Sequence, residues 1–262
     1  MFKVGLIGCG NMGEAIVKGL SRKIKSTDII VSDINPERVE YMVEKYNVAG
    51  SSSNRRVVEN SEIVILAVKP KDLEETVSPI NDSFKGKVVV SVLAGISIPK
   101  LKNLMKDSFI VRAMPNTPAL VGEGAIGVSF ENDSPEIKEK IIDLLSSLGT
   151  VVEVDEKLMD VVTGLSGSGP AYVFMFIEGL IQGGIKGGLS YNQSRELAVQ
   201  TVLGAAKMLK ETGEHPSILR DKVSSPGGTT IYALHRLEEK GFKDAVISAV
   251  EEATKRSKEL SK

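Results

Sequence analysis

The chain has 262 residues, of which 42% are hydrophobic and 26% charged, and its formal charge is −1 at pH 7. That length makes one large domain or two smaller ones, and that composition excludes a disordered chain. The near-zero charge offers no bulk attraction to nucleic acid or to an anionic membrane surface, so neither partner is expected.

The first strand is predicted at 2–8. Gly8-Cys9-Gly10-Asn11-Met12-Gly13 follows, and then a helix with Ala15, Ile16, Val17 and Leu20 on its apolar face. This is G-x-G-x-x-G between a strand and a helix. The first glycine permits a tight turn, the second lets a pyrophosphate approach the backbone, and the third allows close helix–strand packing. A second strand at 28–32 ends on Asp33, about 20 residues past Gly13, where an acid binds a ribose 2′-hydroxyl. A dinucleotide cofactor is therefore expected. Asp33 favours a free 2′-hydroxyl, yet Ser32, Asn35, Arg38, Arg55 and Arg56 are available to a 2′-phosphate, so NADH and NADPH both stay open. Cys9 is the one cysteine, which excludes an intrachain disulfide. With two distant histidines it gives no zinc-ligand spacing, and no metal is expected. No leader is visible before the first strand, and a cytoplasmic protein is expected.

Alternation continues with a helix at 37–46 and strands at 62–68, 87–92, 109–114, 121–130 and 151–154. A helix at 135–148 precedes the last strand, with Gly149 as its C-cap. The pattern predicts an α/β class with an N-terminal Rossmann-type parallel sheet. Ligands sit beyond the carboxyl ends of such strands. That rule puts Ala67, Val68, Lys69 and Pro70, then Ala94 and Gly95, then the loop holding Asn116, on the cofactor rim.

From 156 the pattern is helical only, with helices at 156–165, 170–188, 192–211, 216–223, 226–240 and from 242 on. The longest apolar run, 171–185, is interrupted by Glu178 and Gln182 and is too short to span a bilayer. Gly179, Gly183 and Gly187 form a stripe that serves either a subunit interface or packing within one chain. Ser225-Pro226-Gly227-Gly228-Thr229-Thr230 reads as a helix start, with Ser225 as N-cap and Pro226 at N1. Bare amides of Gly227, Gly228 and Thr229 at the positive end of that helix make a seat for a small carboxylate. His215 and His235 lie in no catalytic motif.

The motifs Gly8 to Gly13, Ala67-Val68-Lys69-Pro70 and Met114-Pro115-Asn116-Thr117-Pro118 occur in fixed order. After them come Gly164-Leu165-Ser166-Gly167-Ser168-Gly169-Pro170-Ala171-Tyr172, Leu203-Gly204-Ala205-Ala206-Lys207-Met208 and 224–230. On these residues the chain resembles pyrroline-5-carboxylate reductase over essentially its whole length. The resemblance implies a Rossmann domain at 1–155 and a helical substrate-binding and dimerisation domain at 156–262. It implies a homodimer, which in the family often assembles into a decamer. It also implies reduction of 1-pyrroline-5-carboxylate to L-proline by NADPH or NADH. Ser225, Gly227, Gly228, Thr229 and Thr230 would bind substrate, with Thr230 at the ring nitrogen as the catalytic residue and Glu156 close by. Asn54 would join Ile7, Gly8, Cys9, Gly10, Asn11, Met12 and the 67–70 segment on the cofactor. Lys222 stands where many relatives carry asparagine, which puts one cofactor contact in doubt.

Hydroxy-acid dehydrogenases of similar architecture want a lysine or histidine base on the first inter-domain helix, and 164–172 offers none. A cofactor-binding sensor without turnover would not need the second anion seat.

Overall fold

Runs such as FKVGLI, SEIVIL and VVVS are apolar on both faces, as strands buried inside a parallel sheet must be. In the computed structural model, which describes residues 1–260, they form the middle of an eight-stranded sheet. Its strands are β1 (Phe2–Ile7), β2 (Ile29–Ser32), β3 (Ala49–Ser51), β4 (Ser61–Leu66), β5 (Val88–Ser91), β6 (Phe109–Met114), β7 (Gly124–Phe130) and β8 (Gly149–Glu153). Their order is 3-2-1-4-5-6-7-8. The first six follow the dinucleotide-fold order, and the topological switch point falls between β1 and β4.

Side-chain alternation divides the core in two. Val4, Leu6, Ile63, Ile65 and Val111 face α1 (Asn11–Leu20), α2 (Pro36–Tyr46) and α6 (Pro135–Leu145). Ile7, Val64, Leu66, Val89 and Ile110 face α3 (Asn54–Glu59), α4 (Leu73–Val77) and α5 (Ile98–Leu104).

The sheet departs from the expected all-parallel pattern at one pair. β7 runs antiparallel to β6, and β8 is parallel to β7. The link from Met114 to Gly124 holds only a short 3₁₀ turn, Thr117–Val121. A parallel return needs a crossover of a dozen or more residues, so this link can only fold back. β3, α3, α4 and α5 were not foreseen, because all are short. Gly149 is not the C-cap of α6, which closes on Ser146; a 3₁₀ turn intervenes and Gly149 opens β8.

The chain divides into two compact units, Met1–Ser168 with the stretch from Glu251, and Gly169–Val250. In the first unit the stretch expected as one helix at 156–165 is composite. It runs through a 3₁₀ turn (Glu156–Leu158), α7 (Met159–Val162) and a π turn (Thr163–Gly167). The second unit holds α8 (Gly169–Lys186), α9 (Tyr191–Thr212), α10 (Pro216–Lys222), α11 (Thr229–Glu239) and the start of α12 (Phe242–Leu260). Only Ser194 and Ala198 are buried between 169 and 250. Phe174, Met175, Leu203 and Tyr232 are each more than half exposed. A unit this poor in buried apolar surface needs a partner surface to cover it.

Candidate active site

The glycine turn is fixed by its neighbours on both sides. Gly8 N–H donates to Ser32 O at 2.8 Å, and Ala67 N–H donates to Ile7 O at 2.8 Å. Gly8 has φ +104°, and a side chain there would meet the Ala67 backbone at 2.7 Å. A Cβ on Gly13 would collide with the Gly8 carbonyl, whereas a Cβ on Gly10 would meet nothing within 4 Å. Gly10 is the N-cap of α1 and no side chain caps that helix. Asn11 is exposed and Met12 half-buried. The first-turn amides of α1 therefore stand over open space at the positive end of the helix, which fits a pyrophosphate.

Asp33 closes the turn from the β2 side. Its Oδ2 accepts the Cys9 N–H at 2.6 Å and its Oδ1 accepts the Asn35 N–H at 2.8 Å. Cys9 therefore has its polar groups engaged within the turn. Its amide belongs to Asp33, its carbonyl accepts Arg38 Nε at 2.8 Å, and its side chain is buried. Burial first, then the Asp33 charge, pushes its thiol up to about 12 against the pull of Arg38, so it is no nucleophile. Ile7 is a core residue. Ser32 is buried and donates to Asn54 Oδ1 at 2.7 Å.

A hub that the motif reading missed lies one turn into α1. Glu14 accepts Tyr41 Oη at 2.7 Å, Tyr46 Oη at 2.9 Å, Lys45 Nζ at 3.0 Å and an Arg38 terminal nitrogen at 3.1 Å. It ties α1 to α2 behind the glycine turn. Burial alone would raise its carboxyl, but the bonds from Tyr41, Lys45, Tyr46 and Arg38 outweigh burial and hold it at about 2, below its ordinary 4.5. A lowered folded value means stability that is present above pH 4.5 and lost as pH falls toward about 2. Glu14→Gln is expected to lose about 1–3 kcal/mol at pH 7. Urea melts from pH 7 downward should show that gap closing across this acid window.

On the rim, Ala67 and Val68 are half-buried while Lys69 and Pro70 are exposed. Ala94 is half-buried, and the buried Gly95 turns with φ +75°. Two expected site residues have their polar atoms engaged within the fold. Asn116 is buried; its Nδ2 donates to Ser166 O at 2.9 Å and its Oδ1 accepts Ala125 N–H at 2.9 Å. Pro170, four residues after Ser166, has no N–H to give that carbonyl, so the asparagine supplies one. Glu156 accepts the Ile98 N–H at the start of α5 and pairs with the buried Arg112 at 3.7 Å. Arg112 also faces Asp160 at 3.9 Å.

In the second unit the Ser225 to Thr230 segment is built differently from expectation. Gly228 N–H donates to Ser225 O at 3.0 Å, and Gly227 has φ +67°. Proline second and a left-handed glycine third make a tight turn of type II character. A left-handed residue cannot sit in a helix, so α11 begins later, at Thr229, with Gly228 as a cap without a side chain. Ser225 is thus not the N-cap, and the Gly228 amide is already taken. The bare first-turn amides are those of Thr229, Thr230 and Ile231. The Thr230 hydroxyl has no partner among the described residues. An open cavity of about 380 Å³ beside the turn is lined by Ser224, Arg220, Asp221, Ile231, Tyr232 and His235. His215 caps α10 through Nδ1, a purely structural task.

No group of metal-ligating side chains occurs among the described residues, and none of their helices is long and apolar enough to cross a membrane. Residues 156–260 match a family described as pyrroline-5-carboxylate reductase dimerisation, and residues 3–95 match NADP oxidoreductase, coenzyme F420-dependent. The pyrroline-5-carboxylate reductase of Synechocystis sp. is 43% identical over 99% of this chain and 98% of its own. The chain belongs to the pyrroline-5-carboxylate reductase family. The reductase of Escherichia coli is 41% identical over 99% of this chain and 98% of its own. The solved Plasmodium falciparum pyrroline carboxylate reductase, with NADP bound, superposes with TM-score 0.90 at 34% identity, covering 100% of this chain and 98% of that one. The Coxiella burnetii reductase gives 0.93 at 34% identity, covering 100% and 99%.

Family membership accounts for the bare apolar helices of the second unit, since the matched dimerisation region contains all of them. Glu14, Arg112 and Asp160 carried no motif signal. Their charges stand at ordinary helix and strand positions, and only the fold shows which groups they join.

Proposed function

We propose that the chain performs its family's reaction with two seats made largely of backbone. The reaction is reduction of 1-pyrroline-5-carboxylate to L-proline with NAD(P)H, the last step of proline biosynthesis. When bound, NAD(P)H supplies the hydride. Gly8, Gly10, Asn11 and Met12 hold the pyrophosphate on the α1 amides. Asp33 holds the adenosine ribose, with Ser32 and Asn54 behind it. Ala67, Val68, Lys69, Pro70, Ala94 and Gly95 border the nicotinamide half. Asn116 and Glu156 act by bracing the surrounding loops.

Thr229, Thr230 and Ile231 present their amides to the substrate carboxylate, and Ser225, Gly227 and Gly228 shape the turn that exposes them. The imine nitrogen takes a proton from solvent to become an iminium, and its carbon then accepts the hydride, leaving the secondary amine of L-proline. Thr230 Oγ1 hydrogen-bonds that nitrogen and orients it. An already electrophilic iminium needs no strong base, which agrees with histidines confined to capping and cavity walls. We place the functional boundary at 155/156, the dimer within a decamer, and the protein in the reducing cytoplasm, where Cys9 stays a thiol.

The observation that carries the reading is the uncapped α1 start with open space at Gly10. Its test follows loss of NADH and NADPH absorbance with 1-pyrroline-5-carboxylate and identifies proline as product. Thr230→Ala is expected to lower turnover by about 100-fold while cofactor binding persists. Unchanged turnover would remove Thr230 from the mechanism.

A further inference from the structure

The cofactor seat leaves the 2′ position of the adenosine ribose undecided. We infer that Asp33 makes this chain select NADH over NADPH. The inference rests on the cofactor placement proposed above.

Five side chains around the end of β2 have the chemistry to hold a 2′-phosphate, and four of them are committed elsewhere. Ser32 is 1% exposed and donates to Asn54 Oδ1. Asn35 Oδ1 accepts the Glu37 N–H at 3.0 Å, capping α2. Arg38 holds the Cys9 carbonyl at 2.8 Å and Glu14 at 3.1 Å. Arg55 clasps Asp82 with both terminal nitrogens, at 2.9 and 2.8 Å. The fifth, Arg56, has no side-chain partner among the described residues. It follows Asn54 by two positions on α3, so it projects about 200° around the helix from the residue that meets Ser32.

The backbone of the β2–α2 loop offers little more. The Asn35 N–H goes to Asp33 Oδ1, Pro36 has none, and the Arg38 N–H goes to Asn35 O at 3.1 Å. What the loop does present is the half-buried carboxylate of Asp33. Each of its oxygens has one backbone donor and a further lone pair for a ribose hydroxyl. A 2′-phosphate would set its negative charge against that carboxylate with no free cation turned toward them, and close like charges strongly disfavour binding.

The test titrates the purified chain with NADH and with NADPH and reads nicotinamide fluorescence, in low salt and in high salt. Wild type is expected to bind NADH at least about tenfold tighter, and salt should narrow the gap by screening the repulsion. Asp33→Ser should bind NADPH tighter than wild type does and NADH weaker. Asp33→Asn keeps the side chain's shape and serves if the serine variant does not fold. A merely structural Asp33 would weaken both cofactors equally, and an unchanged ratio would overturn the inference. Wild-type affinity for NADPH equal to or above that for NADH would also overturn it, with the cofactor seat left standing. Binding of neither would sink the seat and the inference together.

Discussion

Gly10→Ala is expected to keep the melting temperature within a few degrees of wild type and yet to weaken NAD(P)H binding by about 10- to 100-fold. The two halves of that result have separate causes. Gly10 has ordinary helix-cap angles, φ −69° and ψ −170°, so alanine adopts them without strain. A methyl there meets no protein atom within 4 Å, so nothing in the fold resists it. Alanine is a poorer N-cap than glycine, a cost of at most about 1 kcal/mol. The same methyl projects into the space over the α1 amides. Displacing a pyrophosphate from one charge-assisted hydrogen bond loses about 1.5–3 kcal/mol, which sets the expected loss of affinity.

Gly13→Ala gives the opposite signature. Its Cβ would strike the Gly8 carbonyl, a backbone atom fixed between β2 and β4. Overpacking of this kind costs about 3 kcal/mol, which lowers the melting temperature by roughly 6–12 °C in a chain of this size. Calorimetry of both variants, with and without cofactor, separates the roles. A Gly10→Ala protein that binds cofactor like wild type would show that the turn holds no pyrophosphate.

The fold was largely legible in the sequence because its strongest signals are local. Buried strands read as unbroken apolar runs, and the glycine turn announces itself between β1 and α1. Short elements escaped for the converse reason. β3 has three residues, too few for any period to show. The reversal of β7 was readable in principle, since a link of this length cannot cross over. The turn geometry was legible where it resides in backbone, as at Gly8 and Gly10. The site was not legible where side chains have partners that no motif declares. Asn116 and Glu156 stand in motif or matched positions, but their bonds go to Ser166, Ala125, Ile98 and Arg112, all but Ala125 far away in sequence. The cap of α11 was misplaced because Ser-Pro-Gly-Gly spells a helix start and a type II turn equally well, and only the φ of Gly227 decides.

Gly183→Leu is expected to dissociate the assembly and to lower the melting temperature, although within one chain the substitution is favourable. Glycine inside α8 costs about 0.8–1.0 kcal/mol of helix stability relative to a good helix former. A Cβ at Gly183 or Gly179 meets nothing within 4 Å, so the chain has room for a larger side chain. Packing inside the unit uses the neighbouring Gly184 instead, whose Cβ would press on Ser194 of α9. Gly179 and Gly183 therefore do not serve packing within the described chain, while Gly187 falls past the end of α8. The pair lies on a helix whose Phe174 and Met175 are 64% and 76% exposed, in a region matched to dimerisation. Close approach of a partner helix is what bare glycines at this spacing permit, and leucine would hold that helix away. The sign of the effect is the test. If the stripe faced solvent, Gly183→Leu would raise the melting temperature by about 2–4 °C and leave the mass unchanged. If it faces a partner subunit, sedimentation velocity will show a smaller species, and the melting temperature will fall and become dependent on protein concentration.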